Sequence, residues 1–187
     1  MSALHWLLQK SDRVVGVIHL DHNTPYGSKA CEFVQDVVSD SGLPLHLRKL
    51  TRTPELGHSP ENWWREQRYR FFKEVSAIND NIPIILAHNL DDCLEEYVMC
   101  TMVRGYPSTI PYQHPPCIRP FRLWSKSDIY NYAALNEIKF LEDPSNQDPK
   151  YKRNLIRHQI IPPLLKLNPG VYQIVKRLIL KEEGIKW

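Results

Sequence analysis

Short apolar runs alternate along the chain with longer stretches in which apolar residues recur every three or four positions. The runs at residues 14–20 and 84–86 are too short for helices and predict buried strands, the second of them buried on both faces of a parallel sheet. Residues 43–50 alternate in polarity, which predicts a strand near a sheet edge. Helical spacing predicts helices over residues 28–41 and 90–104. This order predicts an α/β fold, an open parallel sheet with helices on both faces.

The start of the helix over residues 90–104 is acidic and follows directly on a predicted strand. In open α/β sheets ligands bind in the crevice beyond the carboxyl ends of the strands, which would receive His88, Asp91, Asp92 and Glu95. The three carboxylates crowd one side of the first helical turn, and Mg²⁺ or a substrate ammonium would relieve their repulsion. The alternative is that acidic residues favour a helix N-terminus by about 0.3–1 kcal/mol each, and this stretch alone favours the alternative.

A helix predicted to begin with Ser59 as N-cap and Pro60 in its first turn carries two arginines on one face. Arg65 and Arg68 are three residues apart, and Tyr69 lies beside Arg65. Two guanidinium groups on one face fit a phosphate. The alternative is a surface helix with solvated arginines, and the helix alone favours that alternative.

The second half of the chain contains more turns. The pattern Ser125-x-x-Asp128 is typical of a capping box. Arg153 and Arg157 are four residues apart, hence on one helix face with Asn154 adjacent. The remaining elements are predicted in this order: a proline-rich loop over 106–117, a strand over 118–121, a helix over 126–135, an acidic loop over 140–149, a helix over 151–166 interrupted by two prolines, and a helix over 171–181.

Composition is that of a globular protein, with 42% hydrophobic and 24% charged residues among 187. The net charge of +3 hides a basic C-terminal segment: residues 150–187 hold nine Lys+Arg against two Asp+Glu. Such a segment suits a polyanion partner, although a run of cations is more often a solvated helix face. The four cysteines lack paired metal-ligand spacing. With no long apolar run and no signal-peptide pattern, the sequence predicts a cytoplasmic protein without a membrane partner.

Several short motifs, in their order along nearly the whole chain, resemble the catalytic domain of tRNA(Ile)-lysidine synthetases. The acidic loop followed by the Arg-Asn motif is the most specific part of the resemblance. The motifs are WREQRY at 64–69, AHNLDDCLE at 87–95, RG at 104–105, RP at 119–120, EDPSN at 142–146 and YKRNLIR at 151–157.

The resemblance implies a PP-loop ATP pyrophosphatase fold, of the adenine nucleotide alpha hydrolase type, over residues 1–135 and a helical extension over 136–187. It implies an ATP-dependent ligase that uses Mg²⁺. ATP would adenylate the C2 oxygen of the wobble cytidine in tRNA(Ile) with a CAU anticodon. The ε-amine of free L-lysine would then displace AMP and leave lysidine.

Residue roles carried over from the resemblance divide into two sets. Catalytic roles fall on Asp92 and Glu95, near Mg²⁺ or the lysine ammonium, and on Arg153 and Arg157, which would stabilise the adenylated intermediate or its phosphate. Substrate- or phosphate-binding and supporting roles fall on a larger set: Arg65, Arg68, His88, Asp91, Arg104, Arg119, Glu142, Asp143 and Asn154.

The chain departs from the family pattern at its start, because the phosphate-cradling S-G-G-x-D-S loop does not occur in it. Residues 1–8 resemble the helix after that loop, so the first strand and the loop are expected to be missing. A longer natural start, a second polypeptide that supplies the loop, or a relative that no longer uses ATP would each explain this. The alternative function is therefore a non-catalytic PP-loop homologue that binds tRNA or nucleotide. Milder departures place Asn89, Cys93 and Glu96 where the family has histidine, glutamine and threonine.

Overall fold

The computed structural model describes residues 1–24, 26–51, 60–148 and 150–185. The α-helices are α1 (Ser2–Lys10), α2 (Gly27–Ser41), α3 (Pro60–Ile78), α4 (Leu90–Met99), α5 (Lys126–Leu135), α6 (Lys152–Leu155), α7 (Ile161–Leu167) and α8 (Val171–Glu182). The strands are β1 (Val17–Asp21), β2 (Leu45–Lys49), β3 (Ile84–Ile85), β4 (Gln113–His114) and β5 (Cys117–Ile118). Two π-helical turns, Cys100–Arg104 and Ile156–Ile160, and a 3₁₀ turn, Pro144–Gln147, complete the described elements.

One compact unit comprises residues 6–84. Strands β1 and β2 pair in parallel, from Val17 opposite Leu45 to Asp21 opposite Lys49, which confirms the predicted parallel pairing. Helix α2 connects them and ends as predicted at Gly42, whose φ of 68° is the left-handed conformation that glycine adopts without a Cβ clash. The predicted N-cap of α3, Ser59, lies outside the described residues.

The core of this unit lies between the sheet and α3. Leu20 of β1 and Leu50, directly after β2, pack with Phe71 and Val75 of α3. The two α3 residues are four apart, so they share one face of the helix and bury it together. That burial fixes the helix that carries Arg65 and Arg68.

The other compact unit comprises residues 1–5 and 85–187. Helix α4 packs against α8 through apolar residues at helical spacing, which confirms the predicted amphipathic helices. The core cluster contains Leu90, Cys93, Leu94 and Val98 of α4, Val171, Val175 and Ile179 of α8, and Ile110, Ile156 and Ile161 from the segments between them. The unit therefore assembles around the helix whose first turn carries the predicted site. The predicted division between residues 135 and 136 stays a prediction.

The strands of this region are shorter than predicted. Strand β3 has only two residues, and Ile85 is 38% exposed, so the prediction of a strand buried on both faces is wrong. The reason is its position, because β3 is an edge strand in the order β3-β5-β4. Strand β5 pairs antiparallel with β4 in a hairpin that the sequence did not predict, and β5 ends at Ile118, where the strand predicted over 118–121 was expected to begin.

The helix ends lie where the sequence predicted them, whereas one predicted helix is interrupted in its interior. The predicted capping box of α5 is present: the Ser125 side chain accepts from the Asp128 amide, and the Asp128 carboxylate accepts from the Ser125 amide. Helix α4 continues into a π-helical turn and ends at Gly105 as predicted. The single helix predicted over residues 151–166 is instead α6, a π-helical turn and α7, whose first turn holds the two prolines.

Candidate active site

The first turn of α4 is fixed by a second capping box. The Asn89 side chain accepts a hydrogen bond from the Asp92 amide at 3.0 Å, and the Asp92 Oδ2 accepts one from the Asn89 amide at 2.9 Å. Both orphan N–H groups are satisfied by this exchange. Asp92 is therefore held at the helix start, half-buried and one turn before Glu95.

Glu95 is the buried centre of the site, with a side chain only 3% exposed. Arg157 donates to it twice, from Nε to Oε1 at 2.6 Å and from Nη2 to Oε2 at 3.1 Å. The Arg153 Nε lies 3.2 Å from Oε2. The two arginines come from α6 and the π-helical turn after it, and such turns often occur at functional sites. The structure thus brings together all four residues predicted to be catalytic.

Burial and charge have opposite effects on the pKa values of Glu95 and Arg157. Burial raises the pKa of Glu95 above its ordinary value, while the hydrogen bonds and charge of Arg157 work to lower it. For Arg157, burial works to lower the pKa of the guanidinium, but the hydrogen bond and charge of Glu95 outweigh it and raise the pKa. Since an arginine stays charged in proteins, the pairing keeps Glu95 as the anion that both guanidinium groups require.

Glu96, the next residue, also faces two arginines. Its Oε1 accepts from Arg104 Nη1 at 2.8 Å, and its Oε2 accepts from Arg153 Nη2 at 3.2 Å. The Cys100 thiol donates to the same Oε1 at 3.5 Å. The predicted phosphate-binding residue Arg104 therefore lies in one ion-pair network with the Glu95 cluster.

Asp91 makes its hydrogen bonds to groups within its own compact unit. Its Oδ2 accepts from the Lys126 amide at 2.6 Å, which ties the start of α5 to α4, and its Oδ1 accepts from the Tyr172 hydroxyl at 2.7 Å. Burial, then the hydrogen bond to Asp91, raises the pKa of Tyr172. Both oxygens of Asp91 thus have partners within the protein, which favours the supporting role expected for it over a role in binding substrate.

The acidic loop is held from the following helix by Asn154, one of the residues to which the resemblance gives a binding or supporting role. The Asn154 side chain donates to the Ser145 carbonyl at 2.8 Å and to the Asp148 carbonyl at 2.9 Å. Asp143 caps the 3₁₀ turn by accepting from the Ser145 amide at 2.8 Å. Glu142 accepts from the Tyr130 hydroxyl at 3.2 Å.

The remaining predicted site residues have separate positions. Arg65 and Arg68 lie on α3, in the unit of residues 6–84, where the Arg65 guanidinium stands 4.8 Å from the centre of the Tyr69 ring. Arg119 is buried and donates to the Pro111 carbonyl at 3.0 Å, so it supports the proline-rich segment. His88 is half-buried directly before the N-cap of α4.

The magnesium site predicted at Asp92 and Glu95 finds little support in this geometry. Both Glu95 oxygens accept from guanidinium groups, and Asp92 Oδ2 accepts from a backbone amide. Among the described residues, no group of three or more His, Cys, Asp or Glu side chains is placed to hold a metal ion. The donor set of Asp92 and Glu95 therefore does not fit Mg²⁺.

Sequence reasoning missed several residues that hold this region together. Glu96 follows Glu95 directly, but its two arginine partners are 8 and 57 residues away. Arg122, whose side chain is 2% exposed, donates to the Ile110 carbonyl at 2.6 Å and to Glu183, 61 residues away. The His158 ring contacts the Asn146 carbonyl at 2.9 Å. These pairings join distant segments, so no local pattern could have predicted them.

Comparisons with known proteins place the chain in a family. A family model described as PP-loop domain matches residues 1–164, so the chain belongs to the PP-loop domain family. A U34-tRNA thiolase from Methanococcus maripaludis superimposes with a TM-score of 0.74 at 18% identity, covering 99% of this chain and 68% of that one. The predicted PP-loop ATPase-like α/β fold is therefore confirmed.

Relatives with a higher sequence identity confirm the predicted resemblance to tRNA(Ile)-lysidine synthetases. The tRNA(Ile)-lysidine synthase of Francisella philomiragia is 32% identical over 169 residues, which is 86% of this chain and 42% of that protein. The tRNA(Ile)-lysidine synthase of Thermotoga maritima is 34% identical over 170 residues, 86% of this chain and 41% of the relative. The chain thus spans about two fifths of the length of the relatives it matches.

Proposed function

We propose that the chain carries out ATP-dependent ligation of L-lysine to C2 of the wobble cytidine in tRNA(Ile) with a CAU anticodon. The observation that carries the proposal is the buried Glu95, paired with Arg157 and Arg153 and one turn after Asp92. Membership of the PP-loop domain family and similarity to proteins named tRNA(Ile)-lysidine synthase support the same reaction. The proposed substrates are ATP as its Mg²⁺ complex, tRNA and free lysine.

The proposed reaction has two steps. First, the cytidine C2 oxygen attacks the α-phosphorus of ATP, which forms a C2–O–AMP bond and releases pyrophosphate. Then the lysine ε-amine attacks C2, AMP leaves with the oxygen, and the amine loses its proton. Such chemistry depends mainly on positioning and on charge stabilisation at phosphate.

Within this reaction the arginines and carboxylates of the site exchange partners. The Arg153 side chain is 45% exposed, so a phosphate oxygen can reach it from solvent, whereas the Arg157 side chain is only 26% exposed. A phosphate that takes up part of the Arg153 charge leaves Glu95 less neutralised. Glu95 and Asp92 are then able to accept the lysine ammonium, so that anion and cation support each other's binding.

The charge of the C-terminal segment supports tRNA as the partner. The segment over residues 150–187 has an excess of seven cations, nine Lys+Arg less two Asp+Glu, which suits the phosphate backbone of a nucleic acid. No helix among the described residues is long and apolar enough to span a membrane. A cytoplasmic location is part of the proposal, and a second polypeptide that supplies the phosphate loop stays one of the three alternatives for that loop.

The test is transfer of labelled lysine to a CAU-anticodon tRNA(Ile) transcript in the presence of ATP and Mg²⁺. Asp92→Asn is expected to abolish transfer while the fold persists, because the asparagine oxygen still accepts the hydrogen bond from Asn89. Asp128→Asn is the matched control, since Asp128 holds the same capping-box position in α5. Transfer retained by Asp92→Asn at the level of Asp128→Asn would remove Asp92 from the mechanism.

The second candidate function is binding without catalysis. Both Asp91 oxygens and both Glu95 oxygens are already bonded within the protein, as they would be in a scaffold that has kept its structure but not its chemistry. The same assay separates the two functions. Binding of tRNA or ATP without transfer, also in the presence of a separately expressed phosphate-loop segment, would favour the binder.

A further inference from the structure

We infer that Glu96 is a positioning residue that fixes the Arg153 guanidinium beside Glu95, and that Arg104 holds Glu96 in place for this task. Glu96 is one of the departures from the family pattern, because the resembling family has threonine at this position. The inference concerns contacts among the chain's own residues. Its consequence for catalysis rests on the proposed function, while its spectroscopic test does not.

The Arg153 guanidinium is held by two different carboxylates. Its Nε lies 3.2 Å from Glu95 Oε2 and its Nη2 lies 3.2 Å from Glu96 Oε2. A guanidinium is a rigid planar fork, so contacts at two of its nitrogens fix its orientation as well as its position. One contact alone would allow the half-exposed side chain to rotate into solvent.

Glu96 is itself held by two contacts besides Arg153. Its other oxygen, Oε1, accepts from Arg104 Nη1 at 2.8 Å, and the buried Cys100 thiol donates to the same oxygen. The hydrogen bond to Glu96, followed by its charge, raises the pKa of Arg104. Arg104 ends the π-helical turn that follows α4 and turns back toward Glu96, eight residues earlier.

The count of charges shows why a second carboxylate is needed. Arg153 and Arg157 already share Glu95 Oε2, so without Glu96 the Arg153 guanidinium would keep its contact with that shared oxygen and lose the contact at its second nitrogen. The pair Arg157–Glu95 is bidentate and less exposed, so Arg157 keeps that partner and Arg153 becomes the mobile group. Glu96 therefore keeps Arg153, the more accessible arginine of the site, aligned with Glu95.

The test uses NMR of the arginine Nε–Hε groups, with the Arg153 signal assigned from its loss in Arg153→Lys. Glu96→Gln is expected to speed the solvent exchange of the Arg153 Nε–Hε by about tenfold, which corresponds to about 1.4 kcal/mol. Arg104→Gln is expected to act in the same direction. The Arg157 signal should be unchanged in both variants, because its bidentate partner Glu95 is intact.

Glu74→Gln is the matched control, since Glu74 also bridges two arginines, with Arg48 at 2.6 Å and Arg70 at 3.4 Å, but on an exposed face of α3. It should leave the Arg153 signal unchanged. An Arg153 exchange rate in Glu96→Gln equal to that of the wild type would overturn the inference. Equal acceleration at Arg153 and Arg157 would also overturn it, because that result reports general loosening.

Activity provides a separate arm that rests on the proposed function. Glu96→Gln is expected to lower kcat for lysine transfer about tenfold with little change in KM for tRNA, and Glu96→Asp should recover part of the loss. If the wild-type chain shows no transfer, also with a separately expressed phosphate-loop segment, the proposed function fails while the NMR result still decides the positioning role. If transfer occurs and Glu96→Gln leaves kcat unchanged, the positioning role has no catalytic consequence and the inference fails.

Discussion

The ion pair between Glu95 and Arg157 should be measurable as a coupling energy in stability. The perturbation is a double-mutant cycle with Glu95→Gln, Arg157→Gln and both together, because glutamine keeps much of the side-chain length and removes the charge. Each single variant leaves a partner behind in a site where the Glu95 side chain is 3% exposed and that of Arg157 26% exposed. The double variant leaves neither charge, so its loss should be smaller than the sum of the two.

The magnitude follows from burial. Removing one partner of a fully buried pair costs about 3–5 kcal/mol. Arg157 keeps some contact with water and Arg153 remains near Glu95, so each single variant should cost less, about 1–3 kcal/mol. Burial of the Glu95 carboxylate works in the opposite direction, since glutamine relieves its desolvation. The uncompensated guanidinium outweighs this relief, because arginine cannot lose its charge.

The assay is urea unfolding followed by far-UV circular dichroism, supported by thermal unfolding. A chain of this size should lose roughly 2–4 °C in Tm for each kcal/mol. The coupling energy is expected at about 1–3 kcal/mol. The exposed pair Arg48 and Glu74 supplies the control cycle, in which no measurable coupling is expected. A coupling energy for Glu95 and Arg157 below about 0.5 kcal/mol would refute the prediction that this ion pair stabilises the fold.

Two further predictions concern the acidic loop and the pH response. Asn154→Ala removes the side-chain hydrogen bonds to the carbonyls of Ser145 and Asp148, which keep their backbone donors, so it should cost about 0.5–1.5 kcal/mol of unfolding free energy for each bond and speed proteolysis within residues 143–148; unchanged cleavage would contradict this. Burial, then the charge of Arg68, lowers the pKa of His22 below 6.5, so the folded state binds this proton less readily and stability should fall as pH drops from about 6.5 through that lower pKa. Urea unfolding at pH 7.5 and 5.5 should show a smaller loss for His22→Gln than for the wild type, and equal losses would count against His22.

Elements defined by neighbours in sequence could be predicted well. The apolar positions of α4 and α8 recur every three or four residues, and the Ser125–Asp128 capping box and Gly105 mark helix ends by local chemistry alone. The parallel pairing of β1 and β2 followed from the alternation of strand and helix. Each of these rests on interactions over a few residues, which the sequence displays directly.

Features that depend on distant partners could not be predicted in this way. Arg157 and Glu95 are 62 residues apart, and only the resemblance to a known family placed them in one site. The π-helical turn that breaks the predicted helix at Ile156–Ile160 has no marker in its sequence. The length of β3 was misjudged because the apolar run does not reveal that the strand lies at an edge.

Asp91 shows how a helix start can suggest a binding site that the fold uses otherwise. Its carboxylate looked equivalent to those of Asp92 and Glu95, because all three crowd the same helical turn. The structure separates them by partner: Asp91 binds the Lys126 amide and Tyr172, which are neutral groups that connect helices. Glu95 instead faces two cations. The chemistry of the partners, rather than the density of carboxylates, distinguishes a structural acid from a candidate catalytic one.

The two arginines at Glu95 differ in a way that bears on how the site could both persist and react. Arg157 makes two hydrogen bonds to Glu95 and is the less exposed, whereas Arg153 makes one contact there and one with Glu96 at the solvent side. An incoming phosphate that displaces Arg153 breaks one contact with the buried Glu95 and one with the half-buried Glu96, whereas displacing Arg157 would break both of its hydrogen bonds to Glu95 and leave that buried carboxylate poorly compensated. Arg157 can therefore be assigned to stability and Arg153 to phosphate binding, because displacing Arg157 from Glu95 costs more free energy and Arg153 is the more accessible to solvent.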